Sequence, residues 1–352
     1  MQIAVNSRPP ENILRSSLSP DYLRQALGRP AANKLLEFST LKNGVYVDNN
    51  YSSLTDTSGT ISQKFSQKFA GQKIPAIILA AEEAMDPLLL FHTLNVEAME
   101  TERYRERHLS SFASFMGAAQ GSARRPLSFL NDFLLIVKPN GKMIFICDDH
   151  PHVAYALALA RESGLIGGSI NLFHVDEHLD NAINLDLQRK LGGPRSVPPP
   201  LSFIANCCKN ELNIDQHLAF TAHCGLVEAK NIHYVLTEDL AGPPKREKAQ
   251  NKQRNRLTEG KRITPTQAPQ LARQLGKVVL DLDLDFFAYL YDPLFPTEKR
   301  SRLQQVSEQQ SLGIVKKLAK EASIILIATS PDYFAVPVEK IKGLIRSIVA
   351  AA

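Results

Sequence analysis

Three apolar segments that end in aspartate and histidine residues constrain the fold of this chain most. They span residues 143–150, 170–180 and 277–287, and each passes from a hydrophobic stretch into an acidic one. A helix-like segment at 152–163 separates the first two, which gives the strand-helix-strand pattern of a parallel sheet. Because ligands bind at the carboxyl ends of parallel strands, we expect the acidic stretches to meet at one edge of a sheet with helices on both faces.

The composition is typical of a globular protein. Of the 352 residues, 44% are hydrophobic and 22% are charged, which excludes a wholly disordered chain. The apolar runs are far shorter than the roughly 20 residues of a membrane-spanning helix, so we expect no membrane partner. Arg8, Glu11 and Arg15 stand where an export signal needs an apolar stretch. The sequence therefore predicts a cytoplasmic protein.

The four cysteines do not form a recognisable ligand set. Cys207 and Cys208 are adjacent, and no pair has the C-x-x-C spacing of a zinc site. We therefore expect reduced thiols in the protein interior.

One segment carries the net charge of +5. Residues 245–262 hold eight Lys or Arg and two Glu, within a polar stretch at 241–269. We interpret that stretch as a solvated loop, with a docking surface for an acidic peptide as the alternative. The segment has no aromatic residue on which bases could stack, so we expect no nucleic-acid partner.

The acidic strand ends predict a metal centre. Side chains of an extended chain alternate between faces, so the polar residues of 174–180 and the aspartates of 281–285 should each share a face. Carboxylates this crowded repel one another unless cations neutralise them. Carboxylates with a minority of imidazoles suit Mn²⁺ better than zinc, and the number of donors predicts two ions per chain. The candidate ligands are His150, Asp176, His178, Asp180, Asp281, Asp283 and Asp285.

At these residues the chain resembles the ureohydrolase superfamily, which includes arginase and agmatinase. The closer resemblance is to a distant uncharacterised branch that includes bacterial peptide arginases. The shared motifs are Asp149-His150 followed by Ala156, HxDxHxD at 174–180 and LDLDLDFF at 280–287. The resemblance implies an α/β, three-layer arginase/deacetylase-like fold with a mainly parallel sheet, plus an unassigned N-terminal region.

The resemblance further implies two Mn²⁺ sites that share one carboxylate. Asp176 would bridge the two ions. His150 and Asp180, with one aspartate of the third strand, would complete the first site. His178 and a pair of aspartates from that strand would complete the second.

The third strand offers two registers for the aspartate pair. The superfamily pattern places the pair at Asp283 and Asp285, with Asp281 one step inside. A shift by two residues would instead make Asp281 a ligand. The chain departs from the arginase pattern here, because Phe286 and Phe287 replace the residues that lead to a further aspartate.

His217 and Asp332 are the candidate catalytic residues. The superfamily's guanidinium-binding glutamate has no equivalent after the apolar run at 324–328, where Asp332 is the nearest carboxylate able to pair with a guanidinium. A simple turn residue is the alternative for Asp332. His217 is a candidate proton donor, and we expect His174 and Asp215 to support the ligands.

The resemblance implies a catalytic domain at 136–352, with a basic loop at 241–269, and an N-terminal region of unknown role at 1–135. The expected activity is hydrolysis of arginine side chains in a ribosomally made precursor peptide to ornithine, with release of urea. Three alternatives stay open: hydrolysis of a small guanidino compound, a zinc deacetylase-like reaction, and a metal-binding or peptide-binding module without turnover.

Overall fold

One sheet runs through the part of the chain that the computed structural model describes, which comprises residues 20–42, 45–48, 76–80, 133–147, 150–241, 257, 259–291, 296–329 and 338–352. Ten strands of these residues form the sheet. They are β1 (Ser39–Lys42), β2 (Val45–Asp48), β3 (Ala76–Ala80), β4 (Phe133–Val137), β5 (Met143–Cys147), β6 (Asn171–Asp176), β7 (Ile232–Leu236), β8 (Lys261–Arg262), β9 (Val278–Asp283) and β10 (Ala322–Ala328).

The strand order across the sheet is β1-β2-β3-β4-β5-β10-β9-β6-β7-β8. The six strands from β5 to β8 in that order pair in parallel, as do β3 and β4. The pairs β1/β2, β2/β3 and β4/β5 are antiparallel. The predicted mainly parallel sheet is confirmed. The predicted domain boundary after residue 135 falls inside β4, and β1–β3 continue the same sheet.

Eleven α-helices lie in the described residues. They are α1 (Pro20–Leu27), α2 (Arg29–Glu37), α3 (His152–Glu162), α4 (Leu185–Leu191), α5 (Leu201–Asn210), α6 (His217–His223), α7 (Ala268–Leu275), α8 (Ala288–Tyr291), α9 (Thr297–Leu303), α10 (Glu308–Glu321) and α11 (Val338–Ala351). Short 3₁₀ turns cover Ile214–Gln216, Ala229–Asn231, Thr237–Ala241 and Leu284–Phe287.

The helices cover both faces of the sheet because the chain crosses it in two directions. From β5 the chain moves through β6 and β7 to β8, and it then returns through β9 to β10. Parallel crossovers are right-handed, so the helices of the outward and return paths lie on opposite faces. Packing agrees, since α3 contacts α5 and α6 while α10 contacts α7 and α11. The predicted three-layer α/β architecture is confirmed.

The helical pattern at 302–322 predicts one helix; α10 accounts for most of this range, but the first two residues of the range belong to a separate helix, α9. Helix α9 ends at Leu303, and α10 begins at Glu308. Ser307 starts the second helix by accepting the backbone N–H of Gln310, while the Gln310 side chain accepts the N–H of Ser307. This reciprocal capping box satisfies two backbone donors and favours a new helix start at that point.

Two strands end earlier than the alternating pattern predicts. Strand β6 ends at Asp176, whose Oδ1 accepts the N–H of His178 at 2.6 Å. Strand β9 ends at Asp283, whose Oδ1 accepts the N–H of Asp285 at 2.9 Å. Aspartate favours such turns because its side chain bonds the backbone two residues ahead. The expectation that strand alternation places each acidic stretch on one face is therefore wrong. Turns orient the residues that follow Asp176 and Asp283, and Asp180 has a φ of +43°.

The polar stretch at 241–269 is not one continuous loop. Residues 242–256 and 258 lie outside the described residues. Lys261 and Arg262 form β8 beside β7, and α7 begins at Ala268. The Arg262 side chain is bonded to Asp239, with Nε 2.7 Å from Oδ2, and to Glu238. Since its guanidinium is already paired, Arg262 is not part of a free basic surface.

The interior of the described residues is apolar around the four cysteines. All four are buried thiols outside any disulfide, as their spacing predicts. Burial raises the pKa of the Cys207 and Cys224 thiols to about 12. Among the described helices, none combines the length and apolar character that crossing a membrane requires.

Candidate metal centre

The candidate site lies where the carboxyl ends of β5, β9 and β6 meet. Cys147 at the end of β5 and Asp283 at the end of β9 both pair with Ala328 of β10, which lies between them. The three acidic stretches therefore begin at the same edge of the sheet. The described end of β10 carries only small residues, Ala328 and Thr329, so bulky side chains from β10 do not separate the acidic groups on either side.

A first cluster surrounds His150, which follows β5 and is 1% exposed. Its Nδ1 atom lies 2.7 Å from Oδ2 of Asp180, 3.2 Å from Oδ2 of Asp176 and 3.4 Å from Oδ2 of Asp283. One imidazole nitrogen thus faces three carboxylates from two separate parts of the chain, the stretches at the ends of β6 and β9. Donor atoms of His150, Asp176 and Asp283 all lie within 4.8 Å of one another, so this group can hold a metal ion.

A second cluster contains Asp176, His178 and Asp285. The Nδ1 atom of His178 lies 2.8 Å from Oδ2 of Asp285 and 3.5 Å from Oδ1 of Asp176. These three residues also place donor atoms within 4.8 Å of one another. The two clusters share Asp176, which is the residue that the sequence predicts as a bridge. The His178 side chain is 47% exposed, so this side of the site faces solvent.

A third group lies beneath the first cluster and consists of His174, His217 and Asp281. All three are fully buried. Oδ2 of Asp281 accepts hydrogen bonds from Nδ1 of His174 at 2.8 Å and Nε2 of His217 at 3.1 Å. The His217 ring stacks at a tilt on His150, with centroids 4.4 Å apart. Helix α6 therefore delivers His217 to the inner side of the site.

Backbone N–H groups hold the carboxylates in place. Besides the turns at Asp176 and Asp283, the N–H of Glu177 donates to Oδ1 of Asp285 at 3.1 Å. Charged acceptors gain more than neutral ones from such bonds. The turns that end β6 and β9 thus orient the carboxylates before any ligand binds.

The charges of the site shift the pKa values of its groups strongly. Burial alone lowers the pKa of the His150 imidazole, but the charges of Asp283 and Asp281 raise it well above its ordinary value. Burial also works against the charged form of Asp176, but the charge and hydrogen bond of His174, together with contributions from His178 and His150, hold that pKa well below its ordinary value. For Asp285, burial and then the charges of Asp176 and Asp283 raise the pKa well above its ordinary value. The imidazoles partly neutralise the carboxylates. Around Asp285 the positive charge of His178 does not compensate for burial and the neighbouring carboxylates, so its charged form is disfavoured.

The donor set fits divalent cations. Three buried atoms, His150 Nε2, Asp176 Oδ2 and Asp281 Oδ1, have no hydrogen-bond partner among the described residues. Buried polar atoms are normally paired, so such orphans need an explanation. A cation between the carboxylates would occupy Asp176 Oδ2 and relieve the repulsion that raises the pKa of Asp285. The excess of hard oxygen donors over imidazoles in both clusters suits manganese or a similar ion.

Asp215 and Asp332 are the remaining predicted site residues. Asp215 lies in the turn Ile214–Gln216 and is exposed. Asp332, with Asp149 of the first motif, lies outside the described residues. The predictions for Asp332 stay predictions.

Sequence reasoning missed two residues that support the centre. Thr237, which follows β7, donates its hydroxyl to the carbonyl oxygen of Phe286 at 3.0 Å and is buried. Glu177, between the ligand candidates of β6, bonds Lys299 at 3.3 Å. Thr237 could have been found from its position directly after the apolar strand β7, because residues that follow parallel strands lie at the same sheet edge as the acidic residues.

Comparison with known proteins gives weak likenesses only. No family model matches the chain, and no curated protein matches it. Among solved structures, proclavaminate amidino hydrolase from Streptomyces clavuligerus is 12% identical, covers 59% of this chain and has a TM-score of 0.34. Agmatine ureohydrolase of Thermoplasma volcanium is 11% identical, covers 70% of this chain and has a TM-score of 0.33. The chain spans 64% of the length of the first and 67% of the second. Likenesses of this size establish neither a family nor an activity.

Proposed function

We propose that this protein is a metal-dependent hydrolase of guanidino groups that uses two Mn²⁺ ions. The observation that carries the proposal is the pair of carboxylate-rich clusters joined through Asp176, with donor atoms within 4.8 Å in each. Two metals held by one shared carboxylate are typical of centres that activate water for hydrolysis. The sequence resemblance to ureohydrolases supports the choice of a guanidinium as the group attacked.

The first ion would be held by His150, Asp176, Asp180 and Asp283. Asp176 would also hold the second ion, together with His178 and Asp285, the other residues of the second cluster. The contact with His150 adds Asp180 to the first ion, and the resemblance to ureohydrolases adds Asp283 to the second. When bound, the ions would supply Lewis-acid activation of a water and neutralise charge that develops at the guanidinium carbon.

The chain itself contributes fixed geometry and a site closed on one side. The backbone bonds at the ends of β6 and β9 hold the carboxylates without rearrangement, which preorganises the centre. The fully buried group of His174, His217 and Asp281 excludes water on the side of the site that faces the protein interior. A guanidinium would enter on the exposed side of His178, attracted by the acidic field of the strand ends.

Urea release tests this proposal. Protein loaded with Mn²⁺ is expected to release urea from an arginine-containing substrate, and Asp176→Ala should abolish turnover while the chain stays folded. Asp186→Asn is the matched control, because Asp186 is an exposed aspartate on α4 with a side chain 84% exposed. A protein that binds manganese but releases no urea from any arginine compound would support the non-catalytic alternative. Tight binding of a single zinc would favour the deacetylase-like alternative.

We further propose that the substrate is an arginine side chain of a ribosomally made precursor peptide, converted to ornithine. This is supported by the resemblance to the peptide arginase branch and by the basic segment at 245–256, which can attract an acidic peptide. Replacing Lys248, Lys252, Arg254 and Arg256 with Ser should weaken binding of the full precursor in a salt-dependent way. Hydrolysis of a short arginine peptide should be unchanged. Activity on free arginine or agmatine alone would favour the small-molecule alternative.

Asp332 is proposed to bind the guanidinium. Asp332→Asn keeps the shape of the side chain and removes its charge-assisted hydrogen bonds. The Michaelis constant for the arginine substrate should therefore rise. Unchanged kinetics would leave Asp332 as a turn residue.

A further inference from the structure

Asp281 differs from the other aspartates of the site because it lies inside the sheet. It occupies β9 opposite His174 of β6, two residues before Asp283, and it is fully buried. Its Oδ2 atom accepts hydrogen bonds from both His174 and His217. Its Oδ1 atom has no hydrogen bond and lies 3.6 Å from Nε2 of His150, which also has none among the described residues. Two buried orphan atoms therefore face each other.

The two nitrogens of His150 face different surroundings. Nδ1 points at Asp180, Asp176 and Asp283, so it is the atom placed to bind a metal. A neutral imidazole that binds a metal through Nδ1 carries its proton on Nε2. That N–H is buried, and burial without an acceptor is costly. Asp281 Oδ1 is the unpaired acceptor that faces it.

We propose that Asp281 is a positioning residue that holds His150 in its metal-binding tautomer and orientation, and that it is not itself a ligand. Histidines that bind metals commonly donate their second N–H to a carboxylate in this way. His174 and His217 fix Asp281 by bonding its other oxygen. The inference rests on the proposed metal centre, and it chooses between the two registers of the third strand: Asp283 and Asp285 bind metal, and Asp281 orients.

The competing role for the same atoms is a separate cation site. His150, His174, His217 and Asp281 place donor atoms within 4.8 Å of one another. We do not favour this role, because Oδ2 of Asp281 already accepts two imidazole N–H groups. A cation there would also need both nitrogens of His150 as ligands.

Titration of the full chain with Mn²⁺, followed by calorimetry, tests the proposal in two backgrounds. Asp285→Asn leaves only the first site, and His150→Ala leaves only the second. Adding Asp281→Asn should weaken the first site about 10–100-fold and leave the second unchanged. In either orientation of the new amide, its NH₂ group replaces an oxygen of Asp281 that accepts an imidazole N–H. The substitution therefore removes an acceptor from this group of residues. General loosening of the site would instead weaken manganese binding equally in both backgrounds.

The outcomes separate this inference from the proposed function. Wild type that binds fewer than two manganese ions refutes the proposed centre itself. Wild type that binds three ions, complete loss of the first site with Asp281→Asn, equal effects in both backgrounds, or no effect in either would each overturn the positioning role alone.

A second pair of variants keeps the test independent of the folding of Asp281→Asn. His150→Asn places its amide near the position of Nδ1, whereas His150→Gln places it near Nε2. We expect His150→Asn to retain weak binding at the first site and His150→Gln to lose it. The reverse order would show that Nε2 is the ligating atom and would overturn the proposal.

Discussion

Manganese should stabilise the folded chain, and single substitutions in the site should each remove a predictable fraction of that stabilisation. At a free Mn²⁺ concentration of 100 times the dissociation constant, each occupied site adds about 2.7 kcal/mol to the free energy of unfolding. The two clusters that share Asp176 predict two such contributions, or about 5 kcal/mol in all. Asp285→Asn removes a ligand of the second cluster only, so about half of the gain should remain. Asp176→Asn alters both clusters, so little of it should remain.

The metal-free proteins should show a different ranking. Burial and the charges of Asp176 and Asp283 disfavour the charged form of Asp285, so Asp285→Asn should cost the metal-free protein little or even stabilise it. The charge of Asp176 is instead stabilised by His174 and by the N–H of His178. Asp176→Asn should therefore destabilise the metal-free protein by about 1–3 kcal/mol.

Urea unfolding followed by far-UV circular dichroism measures both quantities, since the chain has no tryptophan. Each variant is measured with a chelator and with excess Mn²⁺, and the exposed-site variant Asp186→Asn serves as control. An equal manganese-induced gain in wild type and Asp285→Asn would refute the assignment of two clusters. A large loss of stability in metal-free Asp285→Asn would refute the argument that repulsion dominates there.

Three further predictions concern the fold around the site. The pKa of His233 is lowered to about 4 by burial and by Lys261, so below pH 6.5 the unfolded chain binds a proton that the folded chain does not. The free energy of unfolding should fall by up to about 3 kcal/mol as the pH drops from 6.5 to 4. Urea unfolding of His233→Phe should show a smaller fall over the same pH range. Equal pH dependence of wild type and His233→Phe would contradict this prediction. Gly225 has φ +69°, and a Cβ there would lie 2.3 Å from the carbonyl oxygen of Arg195. Gly225→Ala should cost about 1–3 kcal/mol in the same assay, and a neutral effect would be inconsistent with that contact. The four buried cysteines should react with a thiol reagent only after unfolding, so rapid modification of the native protein would disprove their burial.

The fold class was readable from the sequence because strands and helices leave different periodicities in it. The apolar runs before residues 148, 176 and 283 predict buried parallel strands, and all three are present as β5, β6 and β9. The break between α9 and α10 was missed, since the capping contact of Ser307 with Gln310 is a local signal inside an otherwise continuous helical pattern. The order of the strands was not readable, because it depends on how distant segments pack.

The sequence by itself determined which residue types stand at the strand ends, and therefore that their crowding demands cations. Only the tertiary structure decided which of them meet. The crossing order of the sheet brings β5 and β9 to either side of β10, and turns at Asp176 and Asp283 aim His178 and Asp285 after the strands have ended. The inward position of Asp281 depends on contacts with His217, 64 residues away along the chain. Local patterns report the preferences of neighbouring residues, whereas the partners of a buried charge are set by packing between segments far apart in sequence.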